Sequence, residues 1–453
     1  MRGKTMKVMN LVLSIAGIGM LLATFRGVLR ADLPGHSYTL ELGPGNEDAK
    51  RIIESHILGR FLSRKEFQKN YQALKPAELV HRDFRGAVFH LRLGAVCKIK
   101  FDGCDFTNAD GEETYFVGCS FRGAILRNVK DFWIDKSCDL TDADLRGSEF
   151  FPVHKGQLTS TLNYKQKDLS HISLGGNLTG VSFKGFKLRR TRFTGNILGC
   201  DFTGADIRGC SFMGPFSPDY FLKPITEQKI HRVISPEQLY STASYRDRDL
   251  TGVGFSHCDL RDFDFSWQSL GIFSGCDLRG ANFQNAWFAY YDRYRSTGFS
   301  KCILSKEQFY STRNYKFKKF PRGFILTYMD LRGWDFSGLK LWGVDFRGSR
   351  LDGANLEDAE GGDFRFAKGL TVEQIRSLKL YKQRRFHQLK IPPELEKKLR
   401  PEMQRLRRRR QRGHSFREPL LPVKYAFGMP LNRSGSTFFL TGFPRLQNRP
   451  FAP

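Results

Sequence analysis

The sequence has little of what an active site needs. None of its nine cysteines forms a C-x-x-C pair, and no histidine lies at ligand spacing from a cysteine pair, which excludes the common zinc frameworks. No H-E-x-x-H occurs, no glycine-rich loop leads into Lys-Ser/Thr, and G-x-S-x-G is absent. No catalytic residue, metal ligand or cofactor-binding residue can therefore be nominated, and the chain is not expected to be an enzyme. Trp (5) and Met (8) are scarce, whereas Phe (41) and Gly (44) abound. That bias suits a design that reuses one large apolar residue and one turn residue. Acidic residues are outnumbered, 46 against 73 basic ones, for a formal net charge of +27. The excess suggests an anionic partner.

What the chain does have is a period of five. Leu331, Phe336, Leu341, Phe346, Leu351 and Leu356 stand five residues apart without a slip. A helix repeats at 3.6 residues and a strand at two, so the repeating unit must be larger than either. Phe202, Ile207 and Phe212 follow the same beat, as do Leu278 and Phe283. Each unit reads small residue, Asp or Asn, Leu or Phe, a polar residue, and often Gly. If four units close a coil of about twenty residues, coils stack at the interstrand spacing of roughly 4.8 Å. The central Leu or Phe and the small residue two before it then face inward, and glycine permits the corner.

Segments such as CDFTG-ADIRG-CSFMG (200–214) resemble the pentapeptide-repeat family, whose motif is A(D/N)LXX. The resemblance implies an all-β solenoid, a right-handed quadrilateral β-helix, over residues 81–370 in about four blocks. Short capping helices are expected to interrupt it. SPEQLYSTASY (235–245), SKEQFYSTRNY (305–315) and HKGQLTSTLNY (154–164) share one pattern, and TVEQIRSLKLY (371–381) opens the same way. Ser235 with Gln238, Ser305 with Gln308 and Thr371 with Gln374 have capping-box spacing. SRKEF (63–67) reads as a divergent copy. The apolar positions Phe67, Leu158, Leu239, Phe309 and Ile375 lie at unequal intervals, a second and longer repeat. Tyr164, Tyr245, Tyr315 and Tyr381 would be the contacts of a recognition surface, or else packing residues of a structural joint.

The two ends differ from the middle. Arg2, Lys4 and Lys7 precede an apolar run at 8–25, so residues 1–31 are expected to be a signal peptide or an N-terminal membrane anchor, placing the rest outside the cytoplasm. Residues 32–80 are expected to cap the solenoid, 371–386 to form a terminal helix, and 387–453 to be a basic, disordered tail. Residues 379–453 hold 19 Lys/Arg against 4 Asp/Glu. Arg405, Arg407, Arg408, Arg409, Arg410 and Arg412 form a block suited to lipid headgroups, acidic polysaccharide or nucleic acid, the last being least available if the chain is exported.

Seven cysteines, Cys104, Cys119, Cys138, Cys200, Cys210, Cys258 and Cys276, occupy the small inward place and read as alanine substitutes. Two pairs, Cys119 with Cys138 and Cys258 with Cys276, are nearly one coil apart, a separation that also suits disulfides. Arg261, Arg279, Arg332 and Arg347 follow the central residue and face outward. They would either stack into basic ladders or be neutralised by neighbouring Asp.

The expected function is a non-enzymatic scaffold, secreted or periplasmic or tethered by residues 8–25, that binds a protein or anionic polymer through its outer faces and basic tail. The resemblance also admits a secreted effector or a cytosolic protein that binds topoisomerase or nucleic acid. The topoisomerase-binding members mimic DNA and are acidic, which this chain is not.

Overall fold

The computed structural model describes residues 39–59, 63–91, 94–112, 114–151, 153–214, 230–289 and 296–413. The expected signal or anchor at 1–31 and everything beyond Gly413 lie outside the described residues.

Each five-residue unit closes on itself by a turn. The N–H of the small inward residue donates to the carbonyl of the preceding central residue, as from Ala205 to Phe202 (2.9 Å) and from Cys210 to Ile207 (2.9 Å). The Asp or Asn beside the central residue accepts from the N–H two residues on, for example Asp201 Oδ1 from Thr203 (2.8 Å). That is the Asx-turn geometry these side chains favour. The corner itself needs a left-handed backbone, and Gly204 supplies it at φ 71°.

Turns of this kind bring units of successive coils into parallel register. Lines of bridges run through Lys100–Ser120–Asp139, Asp105–Ile125–Asp144, Asp110–Lys130 and, on the fourth side, the strands Tyr115–Val117 and Phe132–Ile134. The strands along that last side form a fourteen-stranded sheet whose described neighbours are parallel except for the first pair. The result is a β-helical solenoid. Its core is filled by stacked rings. Phe193, Phe212, Phe255, Phe273 and Phe299 succeed one another at centroid separations of 5.4 to 5.6 Å, with their rings nearly parallel. The core residues expected from the period, from Phe202 to Leu356, are all 0 or 1 % exposed.

Residues 39–59 cover the first coil. The strand Thr39–Glu41 pairs antiparallel with Val88–His90, and Ile57–Gly59 pairs antiparallel with Gly94–Cys97. Between them the helix Glu47–Ser55 buries Ala49 and Ile53. The SRKEF segment does start a helix, Arg64–Ala73, with a capping box at Ser63. It departs from the expected pattern, however: it is a single helix, and Phe67 is only half-buried beside Tyr71.

The tail expectation needs correcting. Residues 387–413 are not structureless, because Pro393–Gly413 is a helix. The first turn of a helix tolerates Pro393, whose missing N–H would have no partner there, while Pro401 lies within the helix. Leu395, Leu399 and Met403, four residues apart, give the helix a buried stripe. Arg376 pairs with Glu402 at 2.7 Å. Lys390 also continues the coil path by bridging Asp363. Of the second compact unit, residues 404–453, only the last turns of this helix are described.

Candidate interaction surfaces

The four recurring segments around Gln157, Gln238, Gln308 and Gln374 form pairs of short helices. They are Lys155–Ser160 with Leu162–Lys165, Pro236–Tyr240 with Ala243–Arg246, Lys306–Tyr310 with Arg313–Lys316, and Val372–Ser377 with Lys379–Lys382. The expected capping boxes are present at Ser235, Ser305 and Thr371. The second helix of the first three pairs is capped by a buried threonine, Thr161, Thr242 or Thr312.

Each pair takes the place of one strand unit, always on the same side of the solenoid. Below, the Gln side chain donates to two carbonyls of the preceding coil. For Gln238 these are Ile197 (2.8 Å) and Cys200 (2.9 Å), and for Gln308 they are Leu278 and Ala281, both at 2.7 Å. Above, the tyrosine hydroxyl donates to the next coil: Tyr164 to Ser182 (2.7 Å), Tyr245 to Asp264 (2.9 Å) and Tyr315 to Asp335 (3.1 Å). These tyrosines are therefore joints. Tyr381, in the last pair, is buried against Phe386 instead.

Between consecutive pairs stand two strand units, Ser182 and Asp201, then Asp264 and Asn282, then Asp335 and Asn355. The longer repeat, irregular in residue count, is thus constant in space: one helix pair every third coil, or roughly 14 Å at the interstrand spacing.

Each pair ends in an exposed basic loop, Lys165/Lys167, Arg246/Arg248, Lys316/Lys318 or Lys382/Arg384. The second cation of each adopts a left-handed backbone, φ 54° to 58°. Lys165 and Lys382 pair with the coil below through Asp142 and Asp358. Lys167, Arg248, Lys318 and Arg384 have no ion pair among the described residues. Their signal, a cation at each of two alternate places after the recurring tyrosine, was present in the sequence and went unread.

The outward arginines are a different case. Arg261, Arg279, Arg332 and Arg347 each hold the Asp two residues before, at 2.8, 2.6, 2.6 and 3.0 Å. They are neutralised pairs and do not form basic ladders. Asp144, with only 5 % of its side chain exposed, accepts from both Arg146 and Arg127. Burial works against its charge, but these two guanidinium groups outweigh it and hold its pKa well below the usual carboxylate range. Arg127, Asn128, Arg146 and His171 help line an open surface depression of about 590 Å³.

All nine cysteines are buried free thiols, so the two candidate disulfides are not formed. Each pair does stack, but the thiols turn to backbone carbonyls of the coil below. Cys138 donates to Phe116 (3.2 Å) and Cys276 to Phe255 (3.3 Å). Burial pushes the Cys97 thiol up to about 12 and Cys104 to about 11. Cys302 occupies the same inward place and was missed. Among the described residues no cluster suits a metal ion, and no helix is long and apolar enough to cross a membrane.

Arg405, Arg407 and Arg408 lie on the last turns of the helix Pro393–Gly413; the side chains of Arg409, Arg410 and Arg412 lie outside the description.

Residues 98–128, 177–214 and 330–360 match the family model for pentapeptide repeats, with eight copies. Over these segments the chain carries pentapeptide repeats. Three solved pentapeptide-repeat structures are similar to it at low identity. QnrB1, a plasmid-mediated fluoroquinolone resistance protein, is 20% identical in its trypsin-treated form over 46% of this chain and 83% of its own, with a TM-score of 0.17. HetL, involved in heterocyst differentiation regulation in the cyanobacterium Nostoc sp. strain PCC 7120, is 16% identical over 67% and 97%, with a TM-score of 0.13. A protein of the Arabidopsis thaliana thylakoid lumen is 16% identical over 34% and 79%, with a TM-score of 0.09. No curated protein matches the chain.

Proposed function

We propose that this pentapeptide-repeat protein is a non-enzymatic scaffold, exported from the cytoplasm, that binds an acidic protein or anionic polymer through its outer faces and its C-terminal arginine block. In this reading the solenoid is a right-handed quadrilateral β-helix, and the helix pairs cap one side of every third coil. The interior is full of stacked rings, so binding falls to the outside. One observation carries the reading. Lys167, Arg248, Lys318 and Arg384 recur at one corner with no internal countercharge, while most outward arginines are matched by their own Asp. Fixed cations repeating at roughly 14 Å suit an extended anion better than a small one.

The test is salt-dependent retention of the full chain on a polyanion resin. Changing the four corner cations to Gln is expected to weaken retention, and changing the six arginines of 405–412 to Gln to weaken it further. Elution of both variants at the wild-type salt concentration would overturn the binding claim. A reporter fused after Ala31 tests export separately; its activity only in the cytoplasm would remove that part.

A further inference from the structure

Large apolar side chains mostly point into the solenoid, and several of the exceptions cluster. Trp267, Phe317 and Trp342 are 52%, 66% and 43% exposed. With half-buried Trp287 they mark one corner and the side that follows it on four successive coils, Trp267 and Phe317 at the corner, Trp287 at the start of the side and Trp342 at its far end. Ser269 pairs with Trp287, the Arg313 N–H donates to Ala286 at 2.9 Å, and Lys319 pairs with Lys340. The patch is about three coil spacings long, roughly 14 Å.

Trp267 is the informative member. It sits at φ 62°, in the corner place that other coils fill with Gly123, Gly185, Gly204, Asn285 and Gly338 at φ 57° to 72°. A bulky residue in that region costs about 1–2 kcal/mol, and this one leaves half its surface in solvent. Closing the coil does not require it. A strained, exposed tryptophan points to a role at the surface.

Its surroundings are cationic. The Arg313 guanidinium lies 5.9 Å from the Trp287 ring centre and 5.6 Å from that of Phe317. Lys318, Lys319 and Lys340 are exposed and have no ion pair among the described residues. Segments 267–271, 285–289, 316–321 and 338–342, which build the corner, contain no Asp or Glu.

We infer that this corner docks onto an anionic lipid surface, an inference that rests on the anionic-partner reading above. Tryptophan settles at the headgroup level of a bilayer, phenylalanine buries at the boundary just beneath it, and each adjacent Lys or Arg adds about 1 kcal/mol of attraction to acidic lipid. An outward-turning corner lets rings enter a yielding surface. Single-stranded nucleic acid instead needs a cationic groove that tracks its backbone.

The chain's tryptophans are Trp133, Trp267, Trp287, Trp334 and Trp342, so neither residues 1–38 nor residues 387–453 contain one. Quenching of tryptophan emission by vesicles with brominated acyl chains therefore reports contact by the solenoid and not by the leader or tail. The full chain is mixed with such vesicles of phosphatidylcholine, alone or with phosphatidylglycerol. Quenching is expected only with the anionic vesicles. Trp267→Gly with Phe317→Ser should abolish most of it while leaving the thermal melt unchanged or raised, because glycine suits the corner. Changing Lys318, Lys319 and Lys340 to Gln should weaken it roughly tenfold or more. Sedimentation with vesicles without quenching would assign attachment to the leader or tail and overturn the inference. Quenching by oligothymidylate in place of vesicles would overturn it in favour of nucleic acid. Resin retention tests the broader reading independently, so the two can fail separately.

Discussion

Asp264 has both its backbone groups held by tyrosines of the helix pair beneath it: its N–H donates to the Tyr240 hydroxyl at 2.6 Å, and its carbonyl accepts from the Tyr245 hydroxyl at 2.9 Å. Asp335 stands in the same relation to Tyr310 and Tyr315. In an uninterrupted ladder those groups would pair with the strand below, as the Asp201 N–H does with Val181. The two rings, 4.5 Å apart, thus substitute for a strand edge. Burial raises the pKa of both hydroxyls, which stay protonated at any physiological pH.

Tyr245→Phe is therefore expected to cost about 1 kcal/mol, and Tyr240→Phe a similar amount. Urea denaturation gives the totals. Amide exchange at Asp264 should quicken in Tyr240→Phe in particular. Unchanged exchange there would mean the hydroxyl is not the acceptor in solution.

Gln238 performs three tasks at once. Its Oε1 accepts from the Ser235 N–H at 2.9 Å, and its Nε2 serves the carbonyls of Ile197 and Cys200. Replacing it with Leu keeps the bulk and orphans all three groups, at about 1–3 kcal/mol for each buried one. Glu237→Ala, one residue away and exposed, should stay within about 0.5 kcal/mol. Equal losses for the two would show that the glutamine acts only as a helix cap.

These joints show where the sequence was legible and where it was not. The beat from Leu331 to Leu356 exposed the core, because inward residues of a closed coil must recur at the length of one side. Capping boxes at Ser235 and Ser305 exposed the helices, because their chemistry is local. The second role of Gln238 was hidden, since its carbonyl partners lie 38 and 41 residues away. So was the three-coil period, because segments 215–229 and 290–295 make the residue intervals unequal. The helix from Pro393 was lost because the basic composition of 387–453 masked the spacing of Leu395, Leu399 and Met403. The Arg–Asp pairing, in contrast, follows from having Asp two residues before Arg261, Arg279, Arg332 and Arg347.

Acid stability should fall in two separable steps. Burial holds the His257 pKa down to about 4 from 6.5, so its contribution is complete above pH 6.5 and is lost as the pH falls through 6.5 toward 4. Asp144 and Asp206 have pKa values held below the ordinary carboxylate range, so theirs is complete above about pH 4 and fails only below it. His257→Asn, which suits the φ of 56°, should flatten the melting temperature between pH 6.5 and 4 and leave the lower step intact. Asp144→Asn should cost about 1.5–3 kcal/mol at neutral pH. Asp330→Asn, whose pair with Arg332 is exposed, should cost no more than about 1 kcal/mol. A single step that survives His257→Asn would remove the assignment of the upper window.

The thiols offer the sharpest reading of the core, because their reactivity depends on both burial and protonation. Every cysteine is buried, and burial pushes the pKa values of Cys97, Cys104, Cys119, Cys276 and Cys302 upward, which starves each of the reactive thiolate. A thiol reagent at pH 8 should leave the native protein unmodified over a time in which a short cysteine peptide reacts fully. In denaturant without reductant, all nine should be labelled, since the structure pairs none of them. Mass spectrometry separates the alternatives by count. Seven labels in denaturant, with Cys258 and Cys276 protected until reductant is added, would mean that stacked thiols are oxidised in the native compartment. Rapid labelling of Cys119 or Cys276 before denaturation would be more serious, because an inward thiol is reachable only if the coil opens.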